Sequence, residues 1–129
     1  MRMVGAPGTE ALWLLEGSTL GRVVYVRRGA AVVRPGRHGW ETGRAVVRTP
    51  APAAAMPAVA SYHVDEVAPA AGAGWSVTVT GPLDAVTDPD EAAHYRRPLT
   101  GWTRGPHDTL LRPHPHTVAG FRLARGVKR

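Results

Sequence analysis

The chain has 129 residues and no cysteine, which suits one hydrophobic core and excludes disulfides, thiolate metal sites and a cysteine nucleophile. Its formal charge of +6 comes from arginine, with Lys128 as the only lysine, and the arginines are scattered rather than gathered with aromatics as in a nucleic-acid reader, so no nucleic-acid partner is expected. No apolar run reaches membrane-spanning length, and the opening residues MRMVGAPGTEALWLLEG hold no continuous apolar signal core, so the expectation is a cytoplasmic single domain over 1–129, with flexible tails at 1–8 and 124–129.

In chain order, the first element is a short helix carried by EALWLLE, with Thr9 placed to cap it and Gly17 to end it. TLGRVVYVRRG and AAVVRPG then follow almost without interruption across Gly29, a hairpin signature. A strand GRAVVRT is entered through the turn-like WETG, and AVASYHVDEV follows an Ala/Pro stretch. The strongest strand is GWSVTVTGPLDAV, where Trp75, Val77 and Val79 alternate with Ser76, Thr78 and Thr80. That period of two gives one buried face and one face turned to solvent or a cleft. Asp88, Pro89 and Glu91 spell a capped helix start, and HDTLLRPHPHTVAGFRL reads as two short strands interrupted by prolines. Short connections favour antiparallel pairing and closure. The fold class is mainly β: a small antiparallel, Greek-key-like barrel of six to seven strands with two or three short peripheral helices.

Chemistry-bearing residues are sparse. No catalytic triad, phosphate loop or spaced carboxylate pair stands out. His114 and His116 lie two apart near His107 and Asp108, but Pro113 and Pro115 interrupt the strand and no third ligand has defined spacing, so no metal is expected. His63 and Asp65 share a strand face and read as a hydrogen-bonded surface pair. The Arg48–Thr49 pair closes a β-branched run, with no other charge before Pro57. On its own it is a strand-end charge beside a helix-capping hydroxyl, or a grip for an anion.

The segments GRVVYVRRGAAVVRPG, AVVRT, YHVDEV, GWSVTVTG, VTDPDE, LTGWTRGPHD and VAGFRL, in that order over Glu10 to Leu123, resemble the pyridoxamine 5′-phosphate oxidase-like family of flavin-binding split β-barrels. The resemblance implies a homodimer holding FMN, or a deazaflavin in some branches, at the subunit interface, and an oxidoreductase acting on a small molecule. By the same resemblance Arg48 and Thr49 grip the flavin phosphate and ribityl chain, a role that suits a guanidinium fork and a hydroxyl donor. Ser76 and Trp75 contact or pack near the flavin, and Trp102 and Arg104 reach it on a loop from the other subunit. The chain departs from the family at Ala54, where members usually carry lysine, and at PGRH over 35–38, where they carry Pro-x-Asn-Tyr. Arg37 or Arg104 then becomes a candidate to compensate for the lysine, and His38 a candidate acid–base group at a flavin-lining position. The alternative is a barrel that has lost flavin and uses the same cleft for another small ligand or a non-redox step.

Overall fold

The computed structural model describes residues 2–41, 43–99 and 108–124. Among them, eight strands and two α-helices run in the order β1 (Arg2–Ala6), α1 (Gly8–Glu16), β2 (Leu20–Arg27), β3 (Ala30–Glu41), β4 (Arg44–Thr49), β5 (Val59–Ala68), β6 (Ala73–Ala85), α2 (Pro89–Arg96), β7 (Thr109–Pro113) and β8 (Thr117–Ala124), with single 3-10 turns at Ala53–Ala55 and Pro69–Ala71. The mainly β expectation holds. Six antiparallel strands, in the order β6-β5-β2-β3-β4-β7, close on themselves through β6–β7 pairing, and β8 and β1 extend the sheet from β6. Among the described residues no helix is long and apolar enough to cross a membrane.

Two expectations of the ends are corrected. Residues 2–6 are not a tail, because they pair antiparallel with β8 from Arg2↔Ala124 to Ala6↔Gly120. Thr9 is not the cap of α1. The helix begins two residues earlier, at Gly8 after Pro7, with the Ala11 amide bonding the Pro7 carbonyl at 2.9 Å, and no side chain caps it. Gly17 ends it as expected. The second cap is as read: the Asp88 carboxylate accepts from the Glu91 amide at 3.0 Å, with Pro89 in the first turn.

Local rules build most of the barrel. The β2–β3 hairpin turns on Arg28 and Gly29, both at positive φ (52° and 77°), the conformation that matches the twist of the flanking strands. Strand β6 does the closing. Its residues Gly74–Thr80 pair with β8, and Leu83–Ala85 pair with β7. The edge changes partner at Gly81–Pro82, where a Cβ on Gly81 would run into the His114 carbonyl, and proline offers no ladder donor. The amides of His114 and His116 bond the carbonyls of Pro82 and Thr80, each at 2.8 Å, and fasten the crossing chain.

Leu15 of α1 packs with Val23, Tyr25, Val47, Tyr62, Val64, Val77, Val79 and Leu111 in the barrel interior. A smaller cluster of Val46, Ala92, Leu99 and Leu110, flanked by Tyr95, lies between α2 and the outer face of β4 and β7. Strand β4 therefore has two packed faces, so all five residues from Ala45 to Thr49 are buried.

Candidate functional site

Arg48 and Thr49 end β4 on opposite faces. Arg48 faces outward toward the α2 cluster and is 7% exposed; Thr49 faces the barrel and is fully buried. The Arg48 guanidinium is matched in a bidentate fork, Nε to Asp108 Oδ1 at 2.8 Å and Nη2 to Asp108 Oδ2 at 2.9 Å, while Nη1 donates to the Leu99 carbonyl. Asp108 also receives Arg96 Nε at 3.2 Å. The Thr49 hydroxyl donates to the Pro35 carbonyl at 2.9 Å. The missing charged neighbour of Arg48 is thus supplied from 60 residues away. A pair this buried is stabilising only while both members are present.

Arg37 lies opposite Arg48 in the β3–β4 register, half-buried on the outward face. Ser76 is also outward and half-buried, between Asp65 on β5 and Phe121 on β8. Trp75 points to the other face, packs against the barrel core, and with Trp13, Glu16 and Glu66 lines a cleft at the end of α1. Strands β4 and β6 are not neighbours where Ser76 lies, so one chain brings Arg37 and Arg48 together but leaves Ser76 and Trp75 apart from them. Trp102 and Arg104 lie outside the described residues, as does His107.

His38 has a different place from the one its position in PGRH implied. It is 1% exposed in the barrel interior. Its Nε2 faces the Leu15 carbonyl at 2.9 Å, an acceptor only, so Nε2 carries the proton and shares it with Ser18 Oγ at 3.2 Å. Nδ1 then accepts from the Tyr62 hydroxyl at 2.5 Å. Burial lowers the His38 pKa from its ordinary 6.5, and burial raises that of Tyr62 well above the usual tyrosine value. The result is a neutral imidazole tying the end of α1 to β5, with no nitrogen left for a substrate. The Tyr62 ring fits because Gly21 and Gly36, paired across β2 and β3, leave room for it: a Cβ on Gly21 would stand 2.6 Å from the Tyr62 ring and hydroxyl.

The outward face of β2, β5 and β6 carries a polar ladder. Ser61 and Thr80 hydroxyls meet at 2.7 Å, His63 Nδ1 lies 2.8 Å from Thr78 Oγ1, and His63 Nε2 lies 3.3 Å from Asp65. His63 and Asp65 are the surface pair their alternation implied. Arg22 approaches Asp65 at 3.7 Å and, with Leu20, Pro35 and Gly36, bounds a groove of about 300 Å³. Among the described residues no three histidine or acidic side chains gather as metal ligands would.

Sequence reasoning missed Asp108, Tyr62 and Ser18. Tyr62 was findable, since it alternates with Ala60 and Val64 as buried members of β5; nothing local marks Asp108 as the mate of Arg48.

The sequence profile described as pyridoxamine 5′-phosphate oxidase matches residues 8–125. An uncharacterized protein of Mycobacterium tuberculosis is 36% identical over 123 residues, covering 88% of this chain and 81% of that one. Among solved structures, a Corynebacterium glutamicum protein provisionally described as a pyridoxamine 5′-phosphate oxidase superposes with a TM-score of 0.76 at 24% identity, over 99% of this chain and 98% of that one. An FAD-binding protein of Mycobacterium smegmatis gives 0.73 at 24% identity, over 95% and 100%. One from Mesorhizobium loti, also FAD-binding, gives 0.75 at 18% identity, over 96% and 100%. These structural likenesses establish the fold. With the profile spanning nearly the whole chain, the protein belongs to the pyridoxamine 5′-phosphate oxidase family.

Proposed function

We propose that this chain is a flavin-dependent oxidoreductase acting on a small molecule in the cytoplasm, with FMN as cofactor and two equivalent sites in a homodimer. The observation that carries the reading is family membership over residues 8–125, in the company of same-fold proteins described as FAD-binding. An enzyme of this kind takes its redox chemistry from the flavin, while the protein orients the partners and excludes water.

The residues fit a phosphate-bearing flavin unevenly. Arg48 is engaged by Asp108 and the Leu99 carbonyl, and Thr49 by the Pro35 carbonyl, so this pair does not fit a phosphate as it stands. Arg37 and Ser76 face outward, and Arg22 borders the neighbouring groove. These are the side chains we assign to the cofactor, with Arg48 holding the strand end beneath Arg37. Dimerisation is supported by an apolar outward face where Val24 pairs with Val33 and Val26 with Ala31 across β2 and β3, with Val26 73% and Val33 54% exposed.

One observation favours the second reading, a barrel that has given up flavin for another ligand of the same cleft. The bidentate Arg48–Asp108 fork occupies the guanidinium donors a phosphate would need. The experiment is a visible absorption spectrum of the purified protein followed by FMN and FAD titration. Saturable micromolar FMN binding supports the first reading. No binding of either flavin at high micromolar concentration selects the second.

A further inference from the structure

We propose a second ligand site, for a small organic cation of the alkylammonium kind, at the C-terminal end of α1. A cleft of about 330 Å³ opens there between the helix and the sheet, with Trp13 on the helix side and Glu66 and Trp75 on the sheet side. It lies on the other face of the sheet from the residues assigned to the flavin, since Trp75 and Ser76 are successive residues of β6 and point opposite ways.

The strand register aims the sheet side into the cleft. Glu66 stands directly opposite Trp75 across β5 and β6. Glu66 continues the alternation of Tyr62 and Val64, and Trp75 begins that of Val77 and Val79, so both share the face of those four buried residues. An opposed pair of this kind sets carboxylate and indole side by side. On the helix side, Trp13 and Gly17 are one turn apart and both line the cleft. The walls are held before any ligand arrives. Trp75 packs on the barrel core, and Ser18 Oγ and His38 Nε2 both donate to the Leu15 carbonyl, at 3.0 and 2.9 Å, which fixes the helix end.

Charge and ring faces select the ligand. In a chain of formal charge +6, the two acids that line this cleft, Glu66 and Glu16, have no ion pair or side-chain hydrogen bond among the described residues. Arg122 lies next to Trp75 in the β6–β8 register, but its guanidinium is taken by Glu10 of α1. The last turn of α1 holds no basic residue, so the negative end of its dipole is unmatched as well. Trp13 is 68% exposed and lines the same cleft as the Trp75 indole. A carboxylate, a helix C-terminus and two indoles each favour positive charge. Together they recognise an ammonium group whose alkyl substituents lie against the rings.

The test titrates the full chain with choline and with its uncharged isostere, the alcohol in which carbon replaces nitrogen, while indole and amide correlation spectra are recorded. Choline is expected to shift the Trp13 and Trp75 indole N–H signals and the Gly17 and Glu66 amides saturably, to leave the Trp40 indole in place, and to bind more tightly than the alcohol. Glu66→Gln, at an exposed position, should weaken choline about threefold, as for loss of one solvent-facing ion pair, and leave the alcohol unchanged. Trp13→Leu should weaken choline about threefold through loss of one exposed cation–π contact. Equal binding of choline and its isostere, an unchanged choline affinity in Glu66→Gln, or shifts scattered over the surface would each overturn the proposal. FMN binding has no bearing on any of these outcomes.

Discussion

Arg44 and Arg48 stand at the two ends of one strand with the same parity, yet the fold treats them oppositely. Arg48 is enclosed, its donors met by Asp108 and the Leu99 carbonyl, with Arg96 sharing the acid from the other side. Arg44 is exposed at the start of the strand, and the acid across from it is bound by His94. An arginine's role is therefore set by which carboxylate the topology delivers to it. The enclosed one holds structure together; the open one is left facing solvent.

The largest effect that should separate the two ends is the loss of Asp108. Asp108→Ala leaves Arg48 buried without its anion and should cost about 3–5 kcal/mol, whereas Arg44→Ala, at an exposed position, should stay within about 0.5 kcal/mol. Urea unfolding of the two variants measures both. Equal costs would mean that the Arg48 fork is a surface pair after all.

A middle-sized effect lies inside the barrel. Tyr62→Phe removes the donor to His38 Nδ1 and should cost about 1–3 kcal/mol by leaving a buried acceptor unmet. The same network carries a pH signature. Burial lowers the folded-state pKa of His38 below its ordinary 6.5, so the unfolded chain protonates first. The stability carried by neutral His38 is full above that unfolded value and is lost as pH falls from it toward the folded one. Unfolding midpoints measured between pH 8 and pH 5 should therefore fall on the acid side more steeply in the wild type than in His38→Gln, and parallel curves would contradict a neutral buried imidazole. The smallest effect is at the start of α2, where Asp88→Ala should cost about 1 kcal/mol through loss of its cap to Glu91, read from the same melts.

What the sequence made legible was local. The alternation of Trp75, Val77 and Val79, the Arg28–Gly29 turn and the Asp88 cap each rest on neighbours a few residues apart, and each is present. What stayed hidden depends on distant segments. The strand Arg2–Ala6 is a strand only because β8 offers it an edge. The face of His38 was unreadable because RPGRHGW has no apolar alternation: the inward places beside it are held by Gly36 and Trp40. The resemblance directed attention to Arg48 and Thr49, and the structure brings Arg37 beside them, but Asp108 lies 60 residues from Arg48 and only folding brings the two together.

We propose that the flavin is held without Arg48, whose guanidinium serves the strand end through Asp108 and the Leu99 carbonyl instead. Replacing the buried pair together, as Arg48→Met with Asp108→Leu, avoids leaving a lone buried charge and should preserve the fold. FMN titration of this double variant beside the wild type is the direct test. An affinity within about twofold of wild type is the predicted result; a loss of tenfold or more, about 1.4 kcal/mol, in a folded variant would place the phosphate on Arg48 and contradict the account.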